Sequence, residues 1–251
     1  MRLLVAGATG AGGLNVYRAA LADPTVTSIT LLLRRELPSW AVLPADAEAK
    51  TTTIIHSDFS SYPSDVASRL AQNDACVWAV GMSASGGVKE ADYTRVTYEY
   101  PMAIVKALKD AGAGEGRSQD KPFRFVYFSG ELADPTEKSG QMWARVKGRT
   151  EKHLSEFSDE NPGIQVHSIR PSFFAPSREF PEDKKHQRGA GKNIVDSIMG
   201  PLLRVGLPSY YTSLPELTTA TLAIALGKYP NQYLFRNTDL KKIAKELGVK
   251  A

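Results

Sequence analysis

Short apolar runs recur along this chain, and between them the apolar positions change to helical spacing. The runs fall at about 2–7, 28–34, 51–56, 75–81, 123–129 and 164–170, and they predict six strands. Residues at three- and four-residue intervals predict helices over about 12–22, 64–71, 91–111 and 140–157, then near 192–204, 214–227 and 238–247. Strands that are apolar throughout, rather than at alternate positions, must be covered on both faces. Such strands alternating with helices predict an α/β fold built on a mostly parallel sheet.

Three stretches fall outside that pattern. Residues 36–50 are too short and too rich in Pro and Ala for a good crossover helix, so that side of the sheet is expected to be reduced. Residues 113–120 form a glycine-rich surface loop. The Pro- and charge-rich stretch 175–191 lacks periodicity and is expected to form a mobile flap beside the site.

The first strand runs straight into Gly7, Thr9, Gly10, Ala11 and Gly13, and a helix opens at once. A dinucleotide pyrophosphate needs a sharp turn after a strand, a backbone it can approach closely, and helix N–H groups aimed at its charge. The second run, Ser28–Leu33, ends in Arg34-Arg35. An acidic residue roughly 20 positions past the glycines receives a ribose hydroxyl in NAD sites, whereas an arginine accommodates a 2′-phosphate. NADP(H) is therefore expected in preference to NAD(H), with residues 1–172 as the NADP-binding domain and 173–251 as a substrate-side helical segment packed on it.

Composition narrows the partners. The 251 residues, 42% hydrophobic, suffice for one large core. The formal charge of +4 comes from scattered Lys and Arg, which an anionic cofactor accommodates and which make no nucleic-acid footprint. Cys76 stands alone, which excludes an intrachain disulfide. The first strand begins at Arg2, from which no leader peptide is expected, and the expected location is cytoplasmic. No apolar run is long enough for a membrane span, and four histidines without close pairing argue against a metal site.

Ligands in such sheets sit beyond the carboxyl ends of the strands. Asp58, with Phe59 beside it, is placed either to accept from an adenine amino group or to hold a turn. Val80 and Gly81 let a cofactor pass close to the backbone. Ser129, ending the fifth run, offers a hydroxyl to a substrate carbonyl or caps the following loop. Lys147 either reaches the nicotinamide ribose or is solvated like most helical lysines.

These residues carry a resemblance. Gly7-Ala-Thr-Gly10-Ala-Gly-Gly13, Thr30-Leu-Leu-Leu-Arg34-Arg35, Arg95-Val96, Ser129, Val146-Lys147-Gly148 and Ile169-Arg170-Pro171-Ser172 resemble the atypical short-chain dehydrogenases/reductases. Within that superfamily they look most like the subgroup of the human Tat-interacting 30-kDa protein and its fungal mitochondrial relatives. The likeness covers roughly residues 1–175 and continues weakly to about 228. It implies a doubly wound Rossmann-type sheet with helices on both faces, a small C-terminal substrate-side appendage, and bound NADP(H). It also implies Pro171, Ser172 and Phe173 beside the cofactor, a small-molecule substrate, and helices 91–111 and 140–157 pairing in a homodimer.

The resemblance further implies a Ser–Tyr–Lys set that moves a proton as hydride moves. Ser129 and Lys147 match, but Trp143 stands at the tyrosine position. A phenol ionises and can shuttle a proton, whereas an indole N–H only donates. Three readings stay open. One is an oxidoreductase acting on a small carbonyl or hydroxyl metabolite, with its acid at Tyr93, Tyr98, Tyr100, Tyr210, Tyr211 or a water. Another is a non-redox isomerase, cyclase or lyase, with Trp143, Phe173, Phe174 and Tyr211 as an aromatic pocket. The third is a cofactor-sensing interaction protein without turnover.

Overall fold

Seven parallel strands form one sheet in the computed structural model, which describes residues 1–84, 87–118, 120–177, 179–187, 202 and 206–249. The strands are β1 (Arg2–Ala6), β2 (Ser28–Leu33), β3 (Thr51–Ile55), β4 (Ala75–Trp78), β5 (Phe123–Phe128), β6 (Ile164–Ile169) and β7 (Leu234–Phe235). Their spatial order, β3-β2-β1-β4-β5-β6-β7, reverses direction between β1 and β4. Every residue of β4 and β5 is buried, as continuous apolar runs require of central strands covered on both faces.

The helices are α1 (Ala11–Ala22), α2 (Ala47–Lys50), α3 (Ser64–Ala71), α4 (Glu90–Thr94), α5 (Tyr100–Asp110), α6 (Met142–Glu160), α7 (Pro181–Gln187), α8 (Leu214–Ala225) and α9 (Asn237–Glu246). One core gathers Leu3, Val5, Leu14 and Tyr17 with Leu217 and Ile224 of α8. A second gathers Leu4, Trp78, Ile104, Phe125 and Leu154. Between β2 and β3 there is only the four-residue α2, which matches the reduced crossover expected at 36–50.

Several expectations are corrected. β4 stops at Trp78, so residues 79–81 form loop rather than strand. The helix expected over 91–111 is broken by a π-helical turn, Arg95–Glu99. In that turn the Thr97 carbonyl accepts from Tyr127 Oη at 3.2 Å and Thr150 Oγ1 at 3.1 Å, tying the helix to β5 and α6. The two-residue β7 and the helix α7, inside the stretch expected to be a mobile flap, carried no sequence signal. The helix expected near 192–204 lies, except for Leu202, outside the described residues.

The N-terminal half of α6 is held against the loop after β5. Asp134 N–H donates to the Ala144 carbonyl at 2.9 Å, and a Cβ at Gly148 would collide with the Asp134 carbonyl. Gly148→Ala is therefore expected to lower unfolding free energy by about 1–3 kcal/mol, as overpacking does. Gly140→Ala, where a Cβ meets nothing within 4 Å, is the matched control. Urea titration showing equal stability for the two variants would remove this account of α6 placement.

Candidate active site

Where the strand order reverses, a cleft of about 500 Å³ opens at the carboxyl ends of the strands. Gly7, Thr9 and Gly10 line it, facing Leu32, Leu33, Arg34 and Arg35 from the end of β2. Ser57, Phe59, Ala79, Val80 and Gly81 complete the lining. Gly7 ends β1 at φ +88°, a conformation that disfavours side chains. A Cβ at Gly13 would strike the Gly7 carbonyl, so glycine there lets α1 start this close to β1.

Gly10 is different. A Cβ there would have no neighbour closer than the Gly7 oxygen at 3.5 Å, so its substitution would fill the cradle rather than the protein. Gly10 is also the N-cap of α1, which therefore has no side-chain cap for its N–H groups. An open cradle and an uncapped helix N-terminus fit a pyrophosphate. Ala11 is the first residue of that helix and is half-buried. Arg34 and Arg35 are both exposed, and among the described residues neither has a carboxylate partner.

Asp58 proves to be a turn holder. Its Oδ1 accepts from Ser60 N–H at 2.9 Å and from Ser60 Oγ, and its Oδ2 accepts from Ser61 Oγ at 3.1 Å. Those bonds hold its carboxyl below the usual carboxylate range, and it does not line the cleft. Phe59 is buried against Trp78 and Tyr100 and gives the cleft an aromatic edge.

The groups suited to chemistry lie past the end of β5. Ser129 is buried, and its Oγ has no hydrogen-bond partner among the described residues, so it caps no loop. An orphaned hydroxyl of this kind is costly unless a ligand uses it. Lys147 is half-buried, not solvated, and its Nζ donates to the Phe128 and Ser129 carbonyls at 3.0 Å each. Burial pushes its pKa down to about 8, against the pull of Glu151 one helical turn away. Glu151 is itself paired with Arg170 at the end of β6, Nε to Oε1 at 2.8 Å.

Trp143 packs beside Lys147 over Gly130. A Cβ at Gly130 would lie 3.9 Å from the indole and 3.6 Å from the lysine stem. On its other side Trp143 borders a pocket of about 380 Å³, with Gly130, Leu132, Phe173, Leu207 and Tyr210. Pro171 and Ser172 line this pocket too. Pro171, Ser172 and Phe173, expected beside the cofactor, are thus brought to the apolar pocket and not to the cleft lining.

The aromatic pocket expected from sequence changes its membership. Phe174 packs into the core, 3.6 Å from where a Cβ on Gly12 would lie, and Tyr211 pairs its backbone with Phe173. Among the candidate phenols, Tyr98 bonds His153 Nδ1 at 2.8 Å and Tyr100 packs on Phe59. Tyr93 and Tyr210 each share a pocket wall with Trp143. Leu132 and Leu207 were missed in the sequence, because single leucines in loops carry no signal of convergence.

The expected flap is pinned in its described part. Asp183 of α7 is buried and accepts from Arg18 of α1, Nη1 at 2.5 Å and Nη2 at 3.0 Å. The Phe180 ring lies 3.6 Å from that guanidinium, and His186 stacks on Trp40 at 5.0 Å. Gln187 then reaches the Thr9 carbonyl with its amide nitrogen at 3.4 Å.

No family model matches this chain. Its sequence is similar to two fungal proteins named "Protein fmp52, mitochondrial". The Emericella nidulans protein is 28% identical over 174 residues, 69% of this chain and 66% of that protein. The Candida albicans protein is 26% identical over 147 residues, 56% of this chain and 62% of that protein. The matched stretch thus spans somewhat less than two thirds of these relatives' own length.

Solved structures speak to the fold. A Pseudomonas aeruginosa RhlG/NADP active-site complex superposes with TM-score 0.64 at 17% identity, covering 95% of this chain and 96% of that one. A short-chain type dehydrogenase/reductase from Mycobacterium ulcerans gives 0.65 at 15%, covering 96% and 89%. An actinorhodin polyketide ketoreductase with NADPH gives 0.63 at 15%, covering 94% of each. The chain has the fold of short-chain dehydrogenases/reductases. The cytoplasmic expectation is overturned, because both curated relatives are named as mitochondrial. A lone cysteine and an early first strand constrain disulfides and local structure, not the compartment. No helix among the described residues is long and apolar enough to cross a membrane.

The Lys147 geometry has a pH consequence. With its pKa lowered to about 8 in the folded chain, the unfolded state binds more protons between about pH 8 and the ordinary lysine value near 10.4. Stability contributed at this position therefore rises with pH across that window. The stability of the parent minus that of Lys147→Met should increase from pH 7.5 to pH 10 in urea titrations (values chosen to bracket roughly that window). A difference that does not change with pH would show that the ammonium is not drawn in.

Proposed function

We propose that this chain is an NADP(H)-dependent oxidoreductase of the atypical short-chain dehydrogenase/reductase type, acting on a small carbonyl or hydroxyl metabolite in mitochondria. The observation that carries the reading is the switch-point cleft. Its open glycine cradle and uncapped α1 terminus lie opposite two arginines that have no carboxylate partner among the described residues. The mitochondrial names of the fungal relatives support the location, and the Gly-x-x-Gly-x-x-Gly loop supports kinship with the Tat-interacting 30-kDa protein subgroup. The order of the chain supports residues 1–172 as the cofactor-binding part and 173–251 as the substrate side.

In this reading the N–H groups at the start of α1 hold the pyrophosphate, and Arg34 and Arg35 hold the 2′-phosphate. Val80 and Gly81 let the ribose side pass along the backbone. When bound, the nicotinamide supplies or accepts hydride. The Ser129 hydroxyl donates to the substrate oxygen, and Lys147 keeps a positive charge beside it. The proton comes from Tyr93, Tyr210 or a water held between Lys147 and Ser129, because the indole of Trp143 cannot shuttle one. That same substitution favours a second reading, a non-redox isomerase, cyclase or lyase that uses Trp143 as a wall.

Calorimetry tests the cofactor. NADP(H) should bind more tightly than NAD(H), and Arg34→Glu should remove most of the difference, roughly 10–100-fold for a charge-assisted contact. Gly10→Val should weaken both cofactors while leaving the melting temperature near that of the parent. Equal affinity of the parent for the two cofactors would end the 2′-phosphate assignment.

Trp143 tests the chemistry. If the phenol is what the site lacks, Trp143→Tyr should raise NADPH-dependent carbonyl reduction. General acid participation is worth about 10²–10⁴-fold. The gain should lie towards the lower end, since tyrosine is shorter than tryptophan. A Trp143→Tyr variant that loses a native conversion and gains no reductase activity would favour the non-redox reading. Efficient reduction by the parent, unchanged in Trp143→Phe, would assign the proton to another group.

A further inference from the structure

We infer that the pocket beside Trp143 is the substrate site and that it takes an uncharged, largely apolar carbonyl compound. The carbonyl half of this inference rests on the oxidoreductase reading, whereas the apolar half stands on the pocket alone. The pocket is continuous with the chemical groups, since Trp143 and Lys147 lie side by side over Gly130. A carbonyl directed across Gly130 would point towards the Lys147 end of the site, next to Ser129 in sequence, leaving the body of the molecule against Trp143, Phe173 and Leu132.

The mouth supports that occupant. Leu132 is 61% exposed, Leu207 55% and Tyr210 54%, and all three line this one cavity. Single exposed apolar side chains are ordinary, but their convergence from separate loops on one mouth marks a binding site. At about 380 Å³ the space matches small-molecule pockets.

Charge at the rim argues against an ionised substrate. Glu131 is the one ionisable carboxylate or amine among the lining residues, and its Oε1 accepts from Arg236 Nε at 2.8 Å. Its Oε2 accepts from the Asn237 N–H at 2.8 Å. Among the described residues no cation lines the pocket itself, so a carboxylate on the end of the substrate away from Lys147 would meet no partner there and would face Glu131. Desolvating such a group without a partner is costly.

The test reads binding without turnover, by tryptophan fluorescence quenching, and Trp143→Phe identifies the reporting residue. The probes are phenyl propyl ketone and the same ketone bearing a para-carboxylate. The neutral ketone should bind at least about 10-fold more tightly than its carboxylate. Leu207→Asp should lose at least about 10-fold in affinity for the neutral probe, with melting temperature and NADP(H) affinity unchanged, and Leu207→Met should retain it. Equal binding of the two probes, or a Leu207→Asp variant that binds the neutral ketone like the parent, would overturn the proposal. Neutral binding without NADPH oxidation would uphold the apolar pocket and count against the oxidoreductase reading. NADPH oxidation with the carboxylate preferred would do the reverse.

Discussion

The contact on which the site depends is the approach of α1 to the Gly7 carbonyl. At Gly13 a single Cβ would push the helix away from β1. With that close approach lost, the N–H groups in the first turn of α1 would no longer point into the gap between β1 and β4. The strand-order reversal makes the gap, but close packing of helix on turn gives it a cradle of the shape a pyrophosphate would need. The arginines at the end of β2 matter only because this geometry places them across the same cleft.

The second half of the site is organised differently. Two backbone carbonyls hold the Lys147 ammonium against the cost of its burial, and Glu151, which pairs with Arg170, favours its charge. Ser129 contributes a hydroxyl with no partner among the described residues. Trp143 shares this space as an apolar wall. The arrangement sets an ammonium and a hydroxyl beside an indole, which excludes water but does not ionise.

How much of this could be read from the sequence follows from how local each feature is. The central strands were legible because burial on both faces leaves continuous apolar runs, and the edge strand β3, largely exposed, was legible from its β-branched Thr and Ile residues. The two residues of β7 are too few to make such a run. The glycine loop is a single contiguous segment between a strand and a helix, so its place at the cleft was legible before any contact was known. The Trp143 pocket is built from loops after β5 and β6 and from α6, and no spacing rule joins Leu132 to Leu207. Asp58 was ambiguous because the same carboxylate that suits an adenine also suits a turn, and the serines at 60 and 61 claim it. Pro171–Phe173 line the pocket together with Leu207 and Tyr210, and the bridge from Phe173 to Tyr211 that joins the two segments is not revealed by sequence.

The packing of α8 carries a consequence for how the chain acquires its structure. This helix covers α1, β4 and β5, and its Leu217, Ala220 and Ile224 share a core with Leu3, Val5 and Leu14 from the opposite end of the chain. The face behind the glycine loop stays uncovered until residues beyond 213 dock on it. Contacts of such wide sequence separation close late and slowly. The core that backs the glycine loop is therefore complete only once α8 docks, although the loop itself lies far from that helix in sequence.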